Sequence, residues 1–222
     1  MITRLWMGLR RPGTSAAEFR AHWRTVHAGL GAQLPGLRRY VQNHPVQADG
    51  LPPWPWFDGC SELDFDDLAA MRSSFASKAM READADEARF ADPVRFALAI
   101  TERRVLIDQG PGAGAVRLLT FLRANPARGR QALLRAFQGP YAEVVAAAGP
   151  LRHEQLVVLP EAHGVEAAPA CDAVDTIWFP SLDGAHAWLA SPACAEAALH
   201  LAGWAFGTER ALVDPVTVVG AG

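Results

Sequence analysis

Apolar residues along the chain change spacing in a regular way. Ile2 to Leu9 alternates, with Leu5, Met7 and Leu9 on one side and Arg4 and Trp6 on the other, which predicts a strand. Arg11-Pro12-Gly13 turns the chain. Ser15 with Glu18 three residues on makes a capping box, so a helix starts there. Phe19, Trp23, Val26, Leu30 and Leu34 then recur at helical spacing until Pro35-Gly36 stops the helix. Leu37 to Val46 predicts a second strand and Phe57 to Phe65 a third, with a loop from Gln47 to Trp56 between them. Asp66 or Asp67 caps a second helix carrying Leu68, Met71 and Phe75. An acidic stretch from Arg81 to Asp92 leads to a last strand near Arg95 to Ile107.

The same pattern then repeats. A constant shift of 114 places Leu5 on Leu119, Pro12 on Pro126, Leu37 on Leu151, Arg38 on Arg152, Asp58 on Asp172, Phe65 on Phe179 and Ser77 on Ser191. The joint, Asp108 to Ala115, is rich in glycine. Two units follow, residues 1–110 and 115–222, each in the order β-α-β-β-α-β of a ferredoxin-like fold. Such a sheet carries helices on one face and needs a cover on the other. The expected fold is therefore α+β: two tandem ferredoxin-like repeats packed sheet to sheet as an intramolecular α/β barrel.

Composition narrows the function classes. The 222 residues carry a formal charge of −3, which gives no electrostatic footprint for nucleic acid or an anionic membrane. Cys60, Cys171 and Cys194 lack CxxC spacing, so neither a disulfide framework nor a structural zinc site is expected. No apolar run approaches the roughly 18–20 residues of a membrane-spanning helix, and Met1 to Arg10 lacks a signal peptide's apolar region. A cytoplasmic protein is the expectation. No glycine-rich phosphate loop, GxSxG elbow or HExxH pair is present, and no metal or cofactor is expected.

Several polar residues fall where core is expected. His27 lies about 60° from the middle of the first helix's apolar stripe, within reach of a pocket between helix and sheet. Its ordinary pKa of about 6.5 suits proton transfer. Tyr40, Gln42 and His44 share one face of the second strand, and Arg39, Val41 and Asn43 the other. Glu62 sits in mid-strand, either as a base or in an ion pair with Arg4 or Arg39, the ion pair being favoured. Trp54 and Trp56, in a proline-stiffened loop, offer a cover for an aromatic ligand or simply pack on the barrel end. Trp23 lies one turn before His27.

The first unit also resembles a known family. Phe19-Arg20-Ala21-His22-Trp23-Arg24-Thr25-Val26-His27, Leu34-Pro35-Gly36-Leu37-Arg38-Arg39-Tyr40-Val41-Gln42-Asn43-His44, Asp58-Gly59-Cys60-Ser61-Glu62-Leu63-Asp64-Phe65 and Asp86-Glu87-Ala88-Arg89-Phe90 are similar to the EthD domain family. The resemblance implies the dimeric α/β-barrel superfamily. Relatives there include cofactor-free monooxygenases, cyclases, dehydratases, isomerases and haem-dependent enzymes, so fold does not select a reaction.

The expected function is a cofactor-independent enzyme on a small apolar carbonyl or aromatic metabolite, working by proton transfer. His27 and Tyr40 are the expected catalytic residues; Trp23, Asn43, His44, Glu62 and Trp54 are the expected substrate contacts. Under the 114-residue shift Tyr40 falls on Glu154 and His27 on Tyr141, so the second unit is read as a degenerate cover, although Tyr141, His153 and Glu154 leave a second site open. Rival readings are a hydrophobic-ligand binder, a haem or O2-linked oxidative enzyme, and an assembly partner. A homodimer in addition to the internal pseudo-dimer also stays open.

Overall fold

A computed structural model describes residues 1–46, 56–163 and 169–220. Strand β1 (Ile2–Arg10) leads to helix α1 (Ala16–His22), which continues through a π-helical turn (Trp23–His27) into α2 (Ala28–Gly31). Then come β2 (Arg39–Pro45), β3 (Gly59–Phe65), α3 (Leu68–Phe75), α4 (Lys78–Phe90) and β4 (Ala91–Asp108). The second half repeats the order. It has β5 (Val116–Ala124), α5 (Arg130–Ala136), a π turn (Phe137–Tyr141), α6 (Ala142–Ala147), β6 (Arg152–Val158), β7 (Ala173–Phe179), α7 (Leu182–Leu189), α8 (Pro192–Leu201) and β8 (Ala205–Val219).

The eight strands close into one antiparallel barrel in the order β1-β3-β2-β8-β5-β7-β6-β4. The long last strand of each half does the closing. β4 pairs along its first part with β1 and along its later part with β6 of the other half; β8 pairs with β5 and with β2. Closure leaves neither sheet with a free edge. The expected tandem ferredoxin-like barrel is thus the observed fold.

The acidic stretch Arg81 to Asp92 is mostly helix, a difference from the sequence reading. Ser77 accepts a hydrogen bond from the Met80 amide and starts α4, which buries Met80, Ala83, Asp86 and Phe90 on one face. Three of these are apolar and one is an aspartate, so few apolar residues marked the stripe. Ser191 caps α8 in the same way through the Cys194 amide.

Val26 is the other difference. It is half exposed, although it lies in the apolar stripe read from the sequence. The π turn inserts one extra residue into the helical repeat. Past Trp23 the buried face therefore runs through Ala28, Gly31 and Leu34, and His27 turns inward. Phe137–Tyr141 carries a π turn at the repeated position, kinked at Gly139 where the backbone leaves helical angles before Pro140.

Alternation along the strands divides the buried side chains into two environments. Leu5, Met7, Cys60, Leu119, Phe121, Leu156, Val174, Ala211 and Val213 fill an apolar part of the barrel interior. The opposite faces pack under the helices. Among the described residues no helix is long and apolar enough to cross a membrane.

Candidate active site

The first-half helices and the outer face of the sheet enclose a narrow cleft of about 30 Å³. Trp6, Trp23, His27, Tyr40, Glu87 and Phe90 are among its walls, with Arg4 and Ser61. That volume holds one water. Close packing comes from two glycines paired across β1 and β3, Gly8 and Gly59. A Cβ on Gly59 would lie 2.5 Å from the Trp23 ring, and one on Gly31 would lie 2.7 Å from the Tyr40 ring. These aromatic rings therefore lie directly over bare backbone.

His27 reaches Asp86 of α4 through Nδ1 at 3.1 Å. The same carboxylate lies 3.0 and 3.1 Å from His22 Nε2. Burial lowers the His27 pKa, and the Asp86 hydrogen bond and charge oppose that shift. A neutral His27 with Nδ1–H donated to Asp86 keeps a lone pair on Nε2. This is the arrangement of a general base oriented by a carboxylate.

Tyr40, Gln42 and His44 line up beside it on β2. The Gln42 amide donates to the Tyr40 hydroxyl at 2.9 Å and to the Trp23 carbonyl at 2.7 Å, so one side chain ties the strand to the π turn. Tyr40 is buried, which pushes its pKa up and keeps it a neutral donor at physiological pH. His44 packs its ring 4.6 Å from Trp23 and bonds Gln42 Oε1 at 3.3 Å. Burial, with Arg24 and Arg20 nearby, lowers its pKa to about 4. Glu87 is raised by burial, partly offset by Arg4.

His27, Tyr40 and Trp23 thus come together at one cleft, with His44 against Trp23. Asn43 and Glu62 do not join them. They face the barrel interior, on the other side of the sheet. There Glu62 pairs with Arg39 at 3.2 Å, Arg103 at 2.6 Å and Arg117, and accepts from Asn43 at 3.0 Å. Burial opposes its charge, but the guanidinium groups of Arg117, Arg103 and Arg39 outweigh that and hold it well below the usual carboxylate range. The ion pair with Arg39 foreseen from the sequence is present; Arg4 is elsewhere. Arg103 and Arg117 also pair with Glu154, so the network crosses between the halves. Trp54 lies outside the described residues.

Asp86 was missed as a site residue. It lay in the segment that resembles EthD, but nothing in its spacing tied it to His27 until α4 was known to be a helix. Trp6, on the same face of β1 as Arg4, also borders the cleft.

The second half gives a further difference. Its helix-to-strand turn is one residue shorter: Gly36 and Gly149, both with positive φ, stand 113 apart. Arg39 and Arg152 then occupy equivalent strand starts, and Tyr40 corresponds to His153, not to Glu154. Gln42 corresponds to Gln155, and both donate at 2.7 Å to the π-turn carbonyl beneath them, of Trp23 and Phe137. Each half therefore carries one histidine and one tyrosine at these positions with their places exchanged: His27 and Tyr40, Tyr141 and His153. Tyr141 donates to Asp175 at 2.7 Å, and His153 Nε2 reaches the same carboxylate at 2.8 Å. The second unit retains polar residues that an uninterrupted shift of 114 hides.

With this geometry in place, known proteins can be set beside it. The profile of the EthD domain matches residues 11–94, which hold β2, β3 and the helices around the first cleft. No curated protein matches the chain. Among solved structures, a candidate monooxygenase from Fusobacterium nucleatum shares the fold with a TM-score of 0.67 and 9% identity, over 100% of this chain and 95% of that one. A candidate monooxygenase from Lactobacillus acidophilus gives 0.62 and 10%, over 100% and 96%. A mutant chlorite dismutase from Candidatus Nitrospira defluvii gives 0.54 and 8%, over 96% and 91%. At these identities the likeness is one of fold alone, shared with proteins named for monooxygenase and chlorite dismutase activity.

Haem, weighed from the sequence, does not fit the first cleft. A space of about 30 Å³ in the resting cleft is far below the roughly 300 Å³ or more of small-ligand sites, so neither haem nor a flat metabolite enters unless the helices part. Among the described residues no group of histidine, cysteine and carboxylate side chains is arranged to hold a metal ion.

Proposed function

We propose that the first-half cleft is the active site of a small-molecule enzyme. His27 Nε2 removes a proton from an aromatic or carbonyl compound, and the resulting anion is then oxidised by O2. The observation that carries this reading is the His27–Asp86 pair with its second nitrogen left for a cleft walled by Trp6, Trp23 and Phe90. Aromatic walls suit a flat, apolar substrate. The Tyr40 hydroxyl donates to the oxygen on which negative charge grows. The fold's likeness to proteins named as monooxygenases supports the oxidative step. A ring enters only as α4 moves from α1 and α2, since the resting cleft admits one water.

Oxygen consumption over a panel of phenols, quinols and β-dicarbonyl compounds tests the reading. Turnover with O2 uptake, reduced about 10²–10⁴-fold in His27→Ala, is the expected result. Deuterium exchange at the acidic carbon without O2 uptake assigns an isomerase or cyclase step instead. Binding that survives His27→Ala, with neither exchange nor uptake, identifies a ligand-binding protein.

A further inference from the structure

His22 and His27 stand five residues apart at the two ends of the segment that enters the π turn, and both imidazoles meet one carboxylate. Asp86 Oδ2 is 3.1 Å from His27 Nδ1 and 3.1 Å from His22 Nε2. The three groups differ in access to water. The Asp86 side chain is 5% exposed and His27 12%, whereas His22 is 30% exposed. A base in a nearly closed cleft must discharge its proton before it works again. Arg4, Tyr40 and Glu87 face the same cleft, and Asp84 lies near His27 on α4; among them Asp86 is the one the structure shows hydrogen-bonded to His27.

We propose that His22, Asp86 and His27 form a proton relay from the first cleft to solvent, with His22 as its outer end. This rests on the reading of His27 as the base. His27 takes a proton on Nε2 and releases the one on Nδ1 to Asp86 Oδ2. Asp86 passes a proton to Nε2 of His22 in the tautomer protonated at Nδ1, and His22 gives its Nδ1 proton to water. One proton moves from the substrate to solvent and no electron moves; Asp86 is again a carboxylate, and His27 and His22 end neutral in the opposite tautomer, so a tautomer exchange in each ring resets the relay before the next turnover. The relay explains why a carboxylate already bonded to His27 also holds a second, half-exposed imidazole. His22 is a positioning and proton-transferring residue here, since it does not touch the cleft.

The test needs no substrate. In protein with ¹⁵N-labelled histidine, solvent exchange of the His27 Nδ1 proton is followed by NMR. Gln at position 22 can still donate to Asp86 but cannot carry a proton through. His22→Gln is expected to slow the exchange at least about tenfold, and free imidazole is expected to restore it in His22→Ala. Unchanged exchange in His22→Gln overturns the relay. Slowing without imidazole rescue also overturns it and leaves His22 a positional role. Because turnover is not read, a failed activity screen does not bear on this outcome, nor the reverse.

Discussion

At the scale of single residues, both buried environments lose stability in acid, over different ranges of pH. Glu62 is held charged by Arg117, Arg103 and Arg39, so its folded pKa lies below its unfolded value. Its contribution to stability is present at neutral pH and is lost as pH falls through the folded value. Glu62→Gln leaves Arg39, Arg103 and Arg117 with only Asp64 and Glu154 to balance them, and is expected to cost about 3 kcal/mol, the low end for a broken buried pair, in urea unfolding at pH 7. His44 is a base whose folded pKa, about 4, lies below the ordinary 6.5. It folds neutral, so stability falls as pH drops from about 6.5 towards 4, by up to about 3 kcal/mol. His44→Gln is expected to flatten that part of a stability-against-pH curve, while leaving the Glu62-dependent loss at lower pH.

Between residue and fold stands the π turn. It sets which side of the first helix is buried, and with it whether His27 faces the cleft. Deleting Thr25 restores the ordinary helical phase. At about 100° per residue Val26 then stays on the exposed side while His27, Ala28, Gly31 and Leu34 still follow Trp23 on the buried face, so the His27 pKa is expected to stay lowered, as read by NMR titration. A Gly59→Ala substitution, by contrast, keeps the turn and pushes on the Trp23 ring; a shifted tryptophan emission spectrum with near-native secondary structure is its expected signature. The sequence showed the strands, the capping box at Ser15 and the two faces of β2 clearly, because alternation and capping are local. It hid the π turn, which has no local composition. It also hid α4, whose buried face includes Asp86, and hence the partner of His27. The pairing of Tyr40 with His153 was hidden for a related reason: one residue lost between Tyr141 and Gly149 changes the repeat's spacing, and a uniform shift then compares opposite faces of the strand.

Across the whole molecule, the halves are held by more than their peptide link. β4–β6 and β8–β2 pairing and the cross-barrel bonds of Arg103 and Arg117 join them on both sides. Cutting the chain at a protease site inserted near Gly112 is expected to leave a particle of native size by gel filtration, separating into two fragments only in denaturant. Combined with Glu62→Gln, the same cut is expected to lower the denaturant needed for separation.

The exchanged histidine and tyrosine bear on how such a protein changes through time. In a barrel built from two identical chains, each substitution appears in both clefts at once, and a change harmful to one is harmful twice. Here a codon altered in one half leaves the other half as it was. One half is free to keep its arrangement around Asp86 while the other is rebuilt around Asp175. Joining two copies in one reading frame therefore turns a symmetric pair into a pair with separate histories.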